Sequence, residues 1–328
     1  MSAQLYCTVH ELVTDLSLNG AEDPARLLGM IRSASEWIAR KTGGNFIPVR
    51  AEKTYNRSQA RGRSLYVDPL LSVESINSDG RAVTDYDLYP FNRHYPDGPY
   101  SRIYTEQVRW GDEIKITGLW GKYQHSEPLG LTVTQTATDT SLTVADGSIL
   151  SIGAVLGVGA EQQLVTGYGD TSPLTSSLVG TITSADEEIT ITNGAEVKRG
   201  EVIQLSAERM YVRGVAGNKL VVIRGYEGTA KQAHTTGAAI TVQRTYTVER
   251  GVNGTESADH SNAAVSRLLP PYDVNYLTRQ IAGLMLKKAA TGFVGRSGNA
   301  DTGETFYVNE FPDKPIKEII RNYRITQL

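Results

Sequence analysis

The chain has 328 residues, 40% hydrophobic and 21% charged, with 33 Lys and Arg against 36 Asp and Glu for a net charge of −3. That length predicts two domains, or one domain carrying a large insertion, and no apolar run approaches the ~18 residues of a membrane helix. The near-neutral balance supplies no field for wrapping nucleic acid, while one cysteine, Cys7, and five histidines make neither a disulfide framework nor a zinc ligand set. The single cysteine makes synthesis under reducing conditions the expectation, and residues 1–7, without the charged and apolar regions of a secretory signal, predict no signal-directed export.

Residues 8–42 predict two helices. Thr8 with Glu11 forms a capping box before Leu12, Val13 and Leu16, and Asp23 before Pro24 is an N-cap with proline at the first helical position. Leu27, Ile31, Ala34 and Ile38 then recur at helical spacing beside Leu28 and Trp37, until Gly43 and Gly44 stop the helix. From Phe46 to Tyr123 short strands are expected around Leu65, Val73, Leu88, Ile103 and Ile114, separated by turns at Asp79-Gly80 and Asp97-Gly98-Pro99. The Tyr-rich stretch 89–104 is expected to be a long loop.

Residues 129–268 hold an internal repeat. Ser141-Leu-Thr-Val-Ala-Asp-Gly aligns with Glu188-Ile-Thr-Ile-Thr-Asn-Gly, an offset of 188 less 141, or 47, and Glu161, Val165 and Gly167 match Glu208, Val212 and Gly214 at the same offset. A second pair, Arg224-Gly225-Tyr226-Glu227-Gly228-Thr229 with His234 and Arg250-Gly251-Val252-Asn253-Gly254-Thr255 with His260, lies at an offset of 26. The order first half, first half, second half, second half means either that one unit (188–241) is inserted inside an older copy (140–171 with 245–266), or that two copies exchange strands. Either arrangement gives two similar β modules. Beyond Pro270 and Pro271, Val274, Leu277, Ile281, Leu284 and Met285 predict a last helix, with Asp273 at its start and Lys287 and Lys288 in its last turn. The segment after it is rich in Gly and Asn up to Gly303, and then becomes apolar.

The repeated Arg-Gly-x-x-Gly-Thr lacks the Gly-Lys-Ser/Thr ending of a phosphate loop and is not followed by a helix start, so glycine-shaped turns closed by Thr229 and Thr255 are expected. Recurrence of His234 and His260 points to a hydrogen bond that the fold needs, and recurrence of Glu161 and Glu208 to a carboxylate that holds a turn or pairs with the repeated arginine. The clusters Asp186-Glu187-Glu188 and Asp85/Asp87 read as solvated turns rather than calcium loops. No Gly-x-Ser-x-Gly elbow is present, and Cys7 near His10 is a weak pair. No enzymatic activity, cofactor or metal is expected.

A family resemblance rests on the N-terminal third and the last helix. Glu11-Leu-Val-Thr-Asp-Leu, Leu27-Leu-Gly-Met-Ile-Arg through Lys41-Thr-Gly-Gly-Asn-Phe46, Leu65-Tyr-Val-Asp-Pro-Leu-Leu and Ile114-Lys-Ile-Thr-Gly-Leu-Trp-Gly121 resemble head-tail connector (adaptor) proteins of tailed bacteriophages. The Arg-Gly-x-x-Gly-Thr units are separately similar to segments of phage virion proteins.

The resemblance implies an α+β fold, with a helical connector core formed by 1–128 and 269–296, an inserted all-β domain at 129–268, and a C-terminal arm at 297–328. It further implies a ring of about twelve copies under the portal protein, in the virion neck, made in the host cytoplasm, continuing a channel that DNA crosses without specific binding and without contact with a membrane. Tail, tail-terminator or nozzle, and fibre proteins would dock on it. The helix stripes Leu27, Ile31, Trp37, Ile38 and Leu277, Ile281, Leu284 would serve helix packing and supply rigid lateral faces. Arm residues Phe306, Tyr307, Phe311, Ile316, Ile319, Ile320, Tyr323 and Leu328 would reach the portal or a neighbouring copy. The inserted domain is expected on the outside of the ring. The alternative is a fibre, baseplate or host-surface glycan-binding module using Tyr95 and Tyr100.

Overall fold

The computed structural model describes residues 3–16, 18, 22–91, 98–290, 296–298, 305–307 and 313–323. Four helices are present among them: α1 (Val9–Asp15), α2 (Pro24–Thr42), α3 (Tyr272–Ala290) and α4 (Asp313–Tyr323). The start of α1 follows from its capping box, in which the Glu11 amide donates to Thr8 Oγ1 at 3.2 Å and the Thr8 amide to Glu11 Oε2 at 2.8 Å. Asp23 caps α2 through the Ala25 amide, and Gly43 ends it in the left-handed conformation at φ 73°. No described helix is long and apolar enough to cross a membrane.

Among the described residues the fold is mostly β, 41% strand and 23% helical, which overturns the expected α+β fold built on a helical connector core. Residues 49–120 are a seven-stranded sheet: β1 (Val49–Tyr55), β2 (Ala60–Arg61), β3 (Ser64–Ser78), β4 (Arg81–Ala82), β5 (Asp87–Tyr89), β6 (Tyr100–Tyr104) and β7 (Ile114–Trp120). Its main path runs β1-β7-β3-β6-β5, over a core of its own that includes Leu65, Leu70, Ile103, Ile116 and Trp120. The sequence pattern concealed β3, which runs for 15 residues through Asp68-Pro69 and joins the strands expected separately around Leu65 and Val73. Register shifts at Tyr66/Leu70, Leu70/Ser72 and Val73/Ser75 break its two-residue alternation, so one bent strand looks like two short ones.

The expected insertion is two small six-stranded units, a half-open barrel whose sheet does not pair β8 with β9 and a closed barrel. The first comprises β8 (Ser126–Gln135), β9 (Ser141–Thr143), β10 (Val155–Val158) and β11 (Glu161–Tyr168), completed much later by β18 (Thr245–Glu249) and β19 (His260–Leu268). Between them β12 (Ser172–Val179), β13 (Glu188–Ile191), β14 (Val202–Leu205), β15 (Glu208–Ala216), β16 (Lys219–Ile223) and β17 (Ala239–Val242) close the second barrel from contiguous chain.

The sheet orders match strand for strand: β8-β19-β10-β11-β18-β9 in the first, β12-β17-β14-β15-β16-β13 in the second. Even the bulges repeat, at Val165/Gly167 and Val212/Gly214. Nesting, not strand exchange, is therefore the arrangement. The second barrel occupies the β11–β18 connection of the first, where its own copy has the tight β15–β16 turn at Gly217-Asn218. It begins at Ser172, ahead of the repeat boundary read from sequence, because β12 and β8 share topology but little side-chain pattern.

The helix stripes pack on each other. Leu27, Ile31 and Ile38 of α2 share one core with Val274, Leu277 and Ile281 of α3, all at most 2% exposed, and each such side chain contributes roughly 1.5–3 kcal/mol by leaving water. Trp37 is half-buried against this core, and Leu284 is half-buried outside it. The stripes thus serve helix packing within the chain, as expected of them, and their buried members do not form lateral faces.

Of the arm, Ile319, Ile320 and Tyr323 on α4 also pack on this core. The Tyr323 ring meets Phe46 edge-on at 5.0 Å, its hydroxyl donates to Asp273 Oδ1 at 2.9 Å, and its carbonyl accepts from Lys122 Nζ at 2.6 Å. The backbone at Phe306 and Tyr307 belongs to β21 (Thr305–Tyr307), which pairs with β20 (Arg296–Gly298). Phe311 and Leu328, and the side chains of Phe306, Tyr307 and Ile316, lie outside the described residues.

Burial lowers the Lys122 ammonium to a pKa of about 8. A lysine lowered by folding favours the native state progressively as pH rises from about 8 to its unfolded value, and gives no such gain below. The wild type should therefore gain stability relative to Lys122→Met between about pH 8 and 10 in urea titrations. A pH-independent difference would contradict the assignment.

Candidate functional site

The residues that recur in sequence converge on one arrangement, built twice. In the second barrel, β15 begins with Glu208 and β16 leads into Arg224 at the end of the sheet, so carboxylate and guanidinium meet across a strand pair. Glu208 Oε1 accepts from Arg224 Nε at 2.7 Å and the Gly225 amide at 3.0 Å. Oε2 accepts from Arg224 Nη2 at 2.8 Å, the Gln232 amide at 3.0 Å and His234 Nε2 at 2.9 Å. The remaining Arg224 N–H groups donate to the carbonyls of Thr183, Asp186 and Gln232 at 2.8, 2.9 and 2.5 Å.

The first barrel repeats every partner. Glu161 accepts from Arg250 Nε and Nη2 at 2.6 and 2.8 Å, from the amides of Gly251 and Ala258 at 3.1 and 3.2 Å, and from His260 Nε2 at 2.7 Å. Arg250 donates onward to the carbonyls of Thr136, Asp139 and Ala258. Asp139 and Asp186 also correspond. Each caps a turn by accepting from the amide of Thr136 or Thr183, and those hydrogen bonds hold both carboxyls below the usual range.

Glu161 and Glu208 are 2% and 0% exposed. Burial acts to raise their pKa values, but hydrogen bonds from arginine, histidine and backbone amides prevail and hold both at about 2. A carboxylate has about four lone-pair sites and a guanidinium five N–H groups, and here every one is in use. Neither group has capacity left to accept a substrate proton or bind a ligand.

What this clasp holds is the loop between arginine and histidine. In both copies its first glycine is left-handed, at φ 63° for Gly225 and 60° for Gly251, and the fourth residue is forced left-handed too, at φ 56° for both Glu227 and Asn253. Thr229 and Thr255 close it, donating to the carbonyls of Tyr226 and Val252 at 2.9 and 2.8 Å. The loop backbone is thus the same twice, with different residues at its tip.

The tips are docking plugs. Val252 is fully buried in the helical core, and Asn253 accepts from the Ala3 amide at 2.8 Å and donates to Gln162 Oε1 at 2.9 Å. A Cβ at Gly254 would lie 2.0 Å from the Arg50 carbonyl, so the loop seats backbone to backbone on β1. In the second barrel Tyr226 stacks on Tyr211 at 5.3 Å, and Glu227 reaches the first barrel, accepting from Tyr168 Oη at 2.9 Å and from Arg209 Nη1 at 3.0 Å. Burial raises the Glu227 carboxyl above its ordinary range against those two partners. Gly228 follows at the position of Gly254.

Other contacts between modules were not legible from the repeat. Glu201, fully buried, accepts from Arg244 Nε at 2.7 Å and from the Gly147 amide of the first barrel at 3.1 Å. Its equivalent one offset earlier, 201 less 47, is Ala154, so a charge present in only one copy was the available signal. Cys7 is buried, and burial with nearby Glu11 pushes its thiol well above the usual range, which makes it a poor nucleophile. The His10 ring lies against Tyr211 at 5.4 Å, with its pKa lowered by burial. Among the described residues no His, Cys, Asp and Glu gather in a group that could hold a metal ion.

Glu161→Gln or Glu208→Gln leaves a buried arginine without its counter-charge, which should cost about 3–5 kcal/mol in urea unfolding. Because both carboxyls are lowered, their contribution is complete above the unfolded value of about 4.5 and falls as pH drops toward about 2. Each variant should therefore lose less stability than wild type across that interval, and an equal acid response would contradict the geometry. No family model, curated protein or solved structure matches the chain.

Proposed function

We propose that the chain is a structural subunit of a tailed-phage virion, an adaptor that sits below the portal and carries docking modules for tail components. The observation that carries this reading is the return of α3. Residues 3–47 and 274–286 close a single core across the whole intervening chain, with the two barrels as a side branch welded to it through Val155, Leu164 and Val252. The parts that resemble connector proteins thus come together in space, which supports the resemblance although the fold around them is mostly β. Saturated clasps in place of available acid–base groups favour a scaffold over an enzyme. On α3, Tyr272 and Tyr276 are 81% and 45% exposed one helical turn apart, and tyrosine is a residue on which subunit contacts concentrate. With the helix stripes buried, this face is the candidate lateral contact of a ring.

A specific observation also favours the alternative, glycan binding. Phe91, 66% exposed, packs on Tyr89 at 4.2 Å, with Arg102 over the same tyrosine. Tyr100 is half-buried against the sheet core, and Tyr95 lies outside the described residues.

Quantitative mass spectrometry of purified virions should find one copy of this chain per portal subunit. A several-fold lower ratio, or absence from virions, would contradict the adaptor reading, and the lower ratio would move the argument to a fibre tip.

A further inference from the structure

A cleft of about 900 Å³ separates α1 from the rim of the second barrel. It borders the Glu208 clasp, whose Arg224 and Gly225 are part of its wall, and its volume sits at the upper end of the ~300–1,000 Å³ of ligand clefts. Val13, Ile223 and Tyr226 give its floor an apolar part within a lining that is otherwise mostly polar.

Its rim is cationic. Arg199, Arg213 and Lys231 line it, all exposed, with no ion pair or hydrogen bond to another described residue. The Arg209 and Arg224 guanidinia nearby are already committed to Glu227 and Glu208. Burial raises the Tyr211 phenol, and the positive charge of Arg199 and Arg213 acts the other way. Against them the cleft carries one exposed carboxylate, Glu187. In a chain with a net charge of −3, three unpaired cations around one concavity are a local reversal of sign.

We infer that this cleft is a docking site for an acidic segment of a partner protein, one that interleaves carboxylates with apolar side chains. The rim cations meet the carboxylates and the floor takes the apolar residues, a division that a phosphate ion is too small to exploit. Polynucleotide would set its phosphates against Glu187 and leave the apolar part of the floor uncovered. The site goes beyond the adaptor reading and stands without it, since any assembly role could use such a dock.

The test is fluorescence anisotropy with the full chain and a labelled dodecapeptide alternating Glu or Asp with Leu and Phe. Controls are the same peptide with Lys in place of the acids, and a dodecanucleotide single strand. The acidic peptide should bind with micromolar affinity at ~50 mM salt, and weaken as salt rises. Arg199→Glu with Arg213→Glu should weaken it about tenfold or more. Arg57→Glu with Arg81→Glu, an equal charge change on exposed residues of the other sheet, should leave it unmoved. All four substitutions are at exposed positions, and unchanged thermal melts would show that folding is retained. Failure to bind at millimolar peptide, an equal loss in the control variant, or tighter binding of the nucleotide strand would each overturn the proposal.

Discussion

A buried carboxylate whose every lone pair is occupied is the constraint on which the rest of this structure depends. An unpaired charge at the base of a loop would be expelled or neutralised. Glu161 and Glu208 stay ionised because each collects an arginine fork, two backbone amides and a histidine. In return each fixes both ends of a loop that bends through left-handed residues other than glycine, a conformation costing of order 1–3 kcal/mol per residue unless its surroundings impose it. The strain at Glu227 and Asn253 is therefore sustained from behind, which leaves the tip stiff enough to serve as a plug.

One loop backbone then gives two different joints. The dipeptide Val252-Asn253 is apolar and amide, and it enters the helical core beside Gln4 and Gln162. Tyr226-Glu227 is aromatic and acidic, and its carboxylate meets Tyr168 on the neighbouring barrel while Arg209 of its own barrel pairs with it. Duplication supplied the scaffold and divergence at two positions supplied the address. Nesting follows from the same economy of backbone. A tight β-turn such as Gly217-Asn218 is a surface site where a whole folded unit can be accommodated without disturbing the parent sheet, and β11–β18 is that site in the older copy.

Much of this could be read from residues. The offsets of 47 and 26 identified the partners of each clasp, because groups that must meet in space recurred together. Helix starts at Thr8 and Asp23 were legible because capping is local chemistry between residues two or three apart. Three features were hidden, each for a physical reason. β3 bends at bulges that erase its alternation, so the dominance of sheet over helix was missed. The stripes of α2 and α3 declare that they must be buried, but not that they bury each other. α4 belongs to the core through Tyr323 and the lysine beneath its carbonyl, a contact across 201 residues that no local pattern encodes. The site itself divides the same way: its clasp was visible as repetition, whereas the docking of the tips depends on surfaces brought up from elsewhere in the chain.

The central claim is that the clasp, acting through its loop, holds the modules together. Amide hydrogen exchange in Glu161→Gln tests it most directly. The account predicts lost protection not only at Gly251 and Ala258, which bond the carboxylate, but also at Ala3 and Gln162, whose amides donate to Asn253 and Thr255 at the docked tip. Loss confined to Gly251 and Ala258, with Ala3 and Gln162 as protected as in wild type, would show that the tip holds its place without the carboxylate and would contradict the account.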